Sequence, residues 1–164
     1  MQGSVDTPNA AFRKARNEFG EPGFEWLPPR SGDEPDHLRI NVLFTTPRET
    51  QFALRRAAEL SVGLNAEILL IVPQIVPFPL DLDNPPVPLD FASQQLRSLV
   101  ESIDADLDGH IYLCRDRLQT FLHVLRTNSI TVLGMKRRWF FSKAERLARA
   151  LRRSGHQVIM AKSA

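Results

Sequence analysis

The chain has 164 residues, of which 43% are hydrophobic and 24% charged, values that fit one domain with a core and a tail rather than two domains. No apolar run approaches the roughly 20 residues that span a bilayer, and the polar first nine residues lack the apolar stretch of a signal peptide. We therefore expect a cytoplasmic protein without a membrane span. The formal net charge is +2, and the single cysteine, Cys114, excludes an internal disulfide and a multi-cysteine metal site.

Residues 1–37 are predicted to form a flexible N-terminal tail, and residues 38–164 the folded domain. The tail mixes glycine, proline, serine and charged residues, with breakers at Gly20-Glu21-Pro22-Gly23 and Pro28-Pro29-Arg30-Ser31-Gly32. Such a composition is typical of an extension, and the alternative is that its apolar residues Phe19, Phe24, Trp26 and Leu27 dock on the domain or on a partner.

The domain begins with a strand, Ile40–Phe44, followed by a helix with a clear start signal. Thr46 suits the N-cap, Pro47 the first helical position, and Glu49 completes a capping box. We expect this helix to end near Val62, with Gly63 as its C-terminal stop.

The second predicted strand covers Ala66–Val72 and reads as buried on both faces because its apolar run is continuous. Six prolines between Pro73 and Pro88 predict a long surface loop. A loop of that length inside a domain is often functional. A helix with an apolar face follows from about Asp90.

The rest of the domain repeats the alternation of strand and helix. Capping boxes at Asp116 with Gln119 and at Ser142 with Glu145 start two further helices, and Gly155 ends the second. The predicted strands around them are His110–Cys114, Ser129–Gly134 and Gln157–Ala161. Five strands alternating with four helices predict a doubly wound α/β fold, with a parallel sheet and helices on both faces.

The span from about Arg39 to Lys162 resembles the universal stress protein family. The similarity rests on Ile40-Asn41-Val42-Leu43-Phe44-Thr45-Thr46 through Ala57-Ala58-Glu59-Leu60, on Leu64 to Val72, on Ile130-Thr131-Val132-Leu133-Gly134 and on the short apolar last strand. The resemblance implies a flavodoxin- or Rossmann-like sheet with the strand order 3-2-1-4-5. It also implies a homodimer formed through the last strand, Val158-Ile159-Met160.

The residues that bind ATP in that family are largely missing. Thr45 stands where the family carries an aspartate, and Gly134 matches the first glycine of its Gly-x-x-Gly stretch, but Arg137 replaces the second. The later Gly-Ser/Thr element is absent too. Glycine lets the backbone approach phosphate oxygens closely, so we expect no cofactor and no ATP binding of the family type.

In the family order, a ligand crevice is expected between the first and fourth strands, at their carboxyl ends. Cationic side chains and a helix N-terminus there suit an anionic small molecule. The alternative is that the arginines point into solvent while Trp139 and Phe140 plug the pocket. The candidate residues are Thr45, Thr46, Gly134, Lys136, Arg137, Arg138 and Ser142.

Basic residues are concentrated between Lys136 and Lys162, a segment with nine lysines and arginines and a single acidic residue, Glu145. Such a segment attracts phosphates, nucleic acid or an acidic partner, or is a solvated helix face. Trp139 and Phe140, with Val158, Ile159 and Met160 of the last strand, are candidate contacts for a protein partner or a second copy of the chain.

No catalytic residue can be named. The histidines His37, His110, His123 and His156 lack metal-ligand spacing, so no metal is expected. There is no Gly-x-Ser-x-Gly nucleophile turn, and Asp116 reads as a helix cap. The leading hypothesis is a non-catalytic regulatory or binding protein. Two alternatives stay open: nucleotide binding or hydrolysis that uses Lys136 to Arg138, and nucleic-acid binding through the basic last helix.

Overall fold

Strands and helices alternate along the chain as predicted. The computed structural model describes residues 13–14, 38–80, 96–105, 107–126, 129–136 and 142–162. The strands are β1 (Arg13–Lys14), β2 (Arg39–Leu43), β3 (Glu67–Ile75), β4 (Leu107–Cys114), β5 (Ile130–Met135) and β6 (Gln157–Lys162). The helices are α1 (Pro47–Leu64), α3 (Arg117–Val124) and α4 (Lys143–Arg153), and residues 96–101 are the described part of a further helix, α2.

The strands form one parallel sheet in the order β1-β4-β3-β2-β5-β6. The last five strands of this order are the five predicted ones, arranged 3-2-1-4-5, so the doubly wound α/β fold is confirmed. β1 is an addition that the sequence did not predict: Arg13 pairs with His110 and Lys14 with Ile111 at the outer edge of β4.

Each face of the sheet is covered by two helices, which gives two apolar layers. On the α1–α2 face, Ile40, Leu54 and Val100 belong to one cluster. On the α3–α4 face, Leu43 and Phe121 belong to the other. Alternate residues of a strand point to opposite faces, so consecutive apolar residues of the central strands fill both layers.

The predicted end of the first helix is wrong by two residues. Gly63 lies inside α1, which continues to Leu64, and the C-cap is Asn65 in the left-handed conformation with φ 49°. Asparagine tolerates this conformation better than most residues. Gly155, by contrast, follows α4 with φ 90°, as predicted.

The predicted loop start at Pro73 is also wrong, because β3 continues through Pro73 to Ile75. The carbonyl of Ile71 accepts a hydrogen bond of 2.9 Å from the amide of Phe44, so Ile71 faces β2. Pro73, two residues later, faces the same side, where β2 has already ended at Leu43. Proline therefore removes no ladder hydrogen bond here.

None of the helices within the described ranges is long and apolar enough to cross a membrane.

Candidate functional site

The turn between β2 and α1 is held by a threonine cap. Thr46 Oγ1 accepts a hydrogen bond from the amide of Glu49 at 3.3 Å and donates one to Glu49 Oε2 at 3.0 Å. The amide of Thr45 donates to Thr50 Oγ1 at 3.2 Å. The hydroxyl of Thr46 thus already serves the start of α1, whereas Thr45 Oγ1 is buried without a hydrogen-bond partner among the residues that the structure describes.

Gly134, near the end of β5, lies directly under the first turn of α1. A Cβ at this position would overlap the backbone carbonyl of Glu49 and come within 3.1 Å of its Cα. The absence of a side chain at Gly134 is therefore used for close packing between helix and sheet on the α1–α2 face. Sequence reasoning assigned this glycine only to a phosphate loop.

Four residues of the predicted crevice lie at the same end of the sheet. The register pairs Leu43 of β2 with Leu133 of β5, so the carboxyl ends of these two neighbouring strands lie side by side. Gly134 lies near the end of β5, and Thr45, Thr46 and Lys136 come just after the two strands. Lys136 is exposed. Ser142 caps α4, where its hydroxyl accepts from the amide of Glu145 at 3.1 Å. The remaining candidates, Arg137, Arg138, Trp139 and Phe140, lie outside the described residues.

A cleft that the sequence did not reveal opens beside this edge, between α1 and α2 and above the ends of β2 and β3. Its volume is about 490 Å³, within the roughly 300–1,000 Å³ typical of small-molecule sites. None of its described lining residues is ionisable. They are Phe44, Pro47, Gln51, Val72, Gln74, Leu96, Ser98, Leu99 and Ser102.

The polar side chains that line the cleft are Gln51, Gln74, Ser98 and Ser102. On one wall Gln51 Nε2 lies 3.4 Å from Ser102 Oγ, and that hydroxyl donates to the carbonyl of Leu99 at 2.6 Å. On the floor, the half-buried side-chain amide of Gln74 makes no hydrogen bond to any described residue. Gln74 lies two residues after Val72 on the α1–α2 face. Its amide offers both donors and an acceptor to a bound molecule.

Arg115, directly after β4, organises the chain that leaves β3. Its guanidinium donates to the carbonyls of Val76 at 2.7 Å and Leu80 at 2.6 Å, and lies 4.1 Å from the ring centroid of Phe78. The amide of Val76 also bonds to the carbonyl of Cys114 at 2.9 Å. The charge of Arg115 therefore fixes the start of the proline-rich loop.

Cys114 is fully buried at the end of β4. Within the part of the chain that the structure describes, no three His, Cys, Asp or Glu side chains are grouped so that they could hold a metal ion.

β6 is an edge strand of the sheet. Val158, Ile159 and Met160 are each half-buried, and β5 is the strand that pairs with β6 among the described residues. An edge of this kind can pair with another chain.

The fold has a counterpart among solved structures. A universal stress protein from Archaeoglobus fulgidus superimposes with a TM-score of 0.51 at 15% sequence identity, covering 76% of this chain and 93% of that chain. At this identity the likeness establishes a shared fold. No protein-family profile matches the sequence, and no curated protein matches it.

Proposed function

We propose that this universal stress protein-like fold serves a non-catalytic protein that binds a small uncharged molecule in the cleft between α1 and α2. The observation that carries the proposal is the lining of that cleft, a mixture of apolar, amide and hydroxyl groups without an ionisable side chain among the described residues. The carboxyl edge of an open α/β sheet is also where such folds bind their ligands.

The chemistry of the cleft favours a molecule with an apolar body and an amide-like edge. Phe44, Val72 and Leu99 offer apolar contacts. Gln74 offers an amide whose donors and acceptor are unused among the described residues. A polar group left unpaired on binding costs about 1–3 kcal/mol, so a ligand that matches this amide is favoured over a pure hydrocarbon.

Phosphate recognition and catalysis fit the cleft less well. An anion needs cations or several free amide groups, and the described lining residues provide no cation. No ionisable side chain is among the described lining residues, and Ser102 Oγ already donates to a carbonyl. A nucleophilic serine requires an adjacent base.

A thermal-shift titration tests this function. The probes are nicotinamide and adenosine, which carry no charge, against AMP, ADP and ATP with and without magnesium. A ligand at ten times its Kd stabilises the folded state by about 1.4 kcal/mol. We expect a saturable rise in Tm with an uncharged probe.

Gln74→Leu is expected to abolish that rise, because it removes the amide at similar volume. Gln119→Leu, an exposed change on α3 across the sheet, is the matched control and is expected to preserve it. A rise seen only with nucleotides, and lost in Lys136→Gln, would replace this proposal with the nucleotide alternative.

We also propose that two copies of the chain pair through β6, whose outer edge is the natural contact. Sedimentation velocity at tens of micromolar, roughly the range of a weak dimer, is expected to give a dimer. A wild-type chain that sediments as a monomer at this concentration would refute the pairing. A cytoplasmic location stays a prediction.

A further inference from the structure

The outer side of α4 carries four cations in a row. The helix buries Ala144, Ala148 and Leu151 against the sheet. Its opposite side exposes Lys143, Arg146, Arg149 and Arg153, which we call the basic stripe. Spacings of three, three and four residues keep these side chains on one side of a helix. At a rise of 1.5 Å per residue the stripe is about 15 Å long.

The charge of the stripe is not neutralised within the described part of the chain. The ion pairs described there are Arg39 with Glu67 and Arg56 with Glu59, neither on α4. The side chains of the stripe also make no hydrogen bond or ion pair to any described residue. Arg152 differs from them, because it donates to the carbonyl of Val158 at 2.9 Å and so ties α4 to β6.

Helix stability does not account for the stripe. Cations stabilise the C-terminal end of a helix dipole and are unfavourable near its N-terminal end. Arg153 lies in the last turn, but Lys143 and Arg146 lie at the start of α4. Their positions are therefore better explained by an anionic partner than by the helix itself.

The chemistry of the stripe favours nucleic acid over protein. Protein interfaces are centred on buried apolar and aromatic anchors. Within the described ranges the exposed large apolar residues lie on other elements, and none is on α4. A phosphate occurs every 3.4 Å or so along a nucleic-acid strand, so a stripe of about 15 Å faces about four phosphates.

We infer that the basic stripe binds the phosphodiester backbone of a nucleic acid without reading its bases. Four flexible cations with no amide or aromatic side chain among them contact phosphates but do not distinguish base edges. The stripe lies on the α3–α4 face, opposite the cleft. This inference is independent of the proposed ligand.

The salt dependence of binding provides a quantitative expectation. Neutralising four phosphates gives a slope of log affinity against log salt near −3.6 for duplex and about −2.8 for single strands. Raising the salt from 50 to 200 mM then lowers the affinity about 150-fold for duplex and about 50-fold for single strands.

The experiment is fluorescence anisotropy of the full chain with a labelled mixed-sequence oligonucleotide, single-stranded and duplex, between 50 and 200 mM salt. The test variant is Arg146→Gln/Arg149→Gln/Arg153→Gln. The control, Arg48→Gln/Arg55→Gln/Arg97→Gln, removes the same charge from exposed sites on α1 and α2. A second control, Arg146→Lys/Arg149→Lys/Arg153→Lys, keeps the charge of the stripe. It separates the effect of charge from any structural role of the arginine side chains.

We expect the glutamine variant of the stripe to lose at least tenfold in affinity at 50 mM salt, with a slope shallower by about 2.7 on duplex. The control and the lysine variant are expected to retain both affinity and slope. Absence of binding at 50 mM salt, or equal losses in the two glutamine variants, would overturn the inference. Tighter binding to a poly-glutamate peptide than to the oligonucleotides would also overturn it, in favour of an acidic protein partner.

Discussion

A single methyl group at Gly134 tests the close packing of α1 against β5. In Gly134→Ala the new Cβ would overlap the carbonyl of Glu49 and lie 3.1 Å from its Cα. Ordinary contacts between carbon atoms are roughly 3.5–4 Å. The first turn of α1 therefore has to move away from β5.

The cost of that movement is high because the obstacle is helix backbone and not a flexible side chain. Overpacking costs about 1–3 kcal/mol and occasionally more. Since α1 also packs across β2 and β6, we expect a loss of about 3 kcal/mol. For a chain of this size, that loss lowers Tm by about 6–12 °C.

Urea denaturation of the wild type and two alanine variants measures the effect. Gly63→Ala is the matched control, because a Cβ there would meet no atom of the described residues within 4 Å. It lies in the last turn of α1, where alanine is expected to stabilise by up to about 1 kcal/mol. Equal changes in the two variants, or a loss below about 1 kcal/mol in Gly134→Ala, would refute the assignment of Gly134 to helix packing.

Three further predictions concern Arg115, Tyr112 and Thr131. Arg115→Ala removes two hydrogen bonds from a charged donor, worth about 2 kcal/mol together at this partly exposed site. Hydrogen exchange at the amides of Val76 and Leu80 should therefore become about 30-fold faster. Unchanged exchange rates would contradict the role of Arg115 in holding the start of the loop. Burial raises the pKa of Tyr112, and Arg39 opposes this shift with a smaller effect. Tyr112 is the chain's single tyrosine, so tyrosinate absorbance should show ionisation above pH 10 in the folded protein and near pH 10 in denaturant. Because the folded protein keeps the Tyr112 proton to higher pH than the unfolded chain does, the free energy of unfolding should fall as the pH rises from about 10 through the raised pKa. Equal titration midpoints in the folded and the denatured protein would contradict the burial of Tyr112. Thr131 is fully buried and its hydroxyl has no hydrogen-bond partner among the described residues, so Thr131→Val should raise the free energy of unfolding by about 1 kcal/mol. A loss of stability would contradict the unpaired state of the hydroxyl.

Helix starts could be predicted from sequence because they depend on neighbouring residues. The hydroxyl or carboxylate of Thr46, Asp116 and Ser142 each accepts from the backbone amide three residues later, as the capping boxes indicated. Element ends depended on more distant partners. Pro73 remains in β3 only because β2 stops earlier, a fact that the residues around Pro73 do not contain.

The candidate site was predictable only in part, because it too depends on residues that are distant in sequence. The cleft is assembled from the ends of β2 and β3 and from two helices, so its walls are distant in sequence. Arg115 reaches carbonyls 39 and 35 residues away. The one available signal was Gln74, a polar residue that follows a continuous apolar strand.

The most direct test of the proposed function is an NMR titration of the labelled chain with an uncharged probe such as nicotinamide, followed at the backbone amides. The account predicts saturable shifts concentrated at Gln51, Gln74, Leu99 and Ser102, around the cleft. Shifts concentrated at Lys136 and Glu145 would contradict it, since they would place the ligand on the basic edge of the sheet.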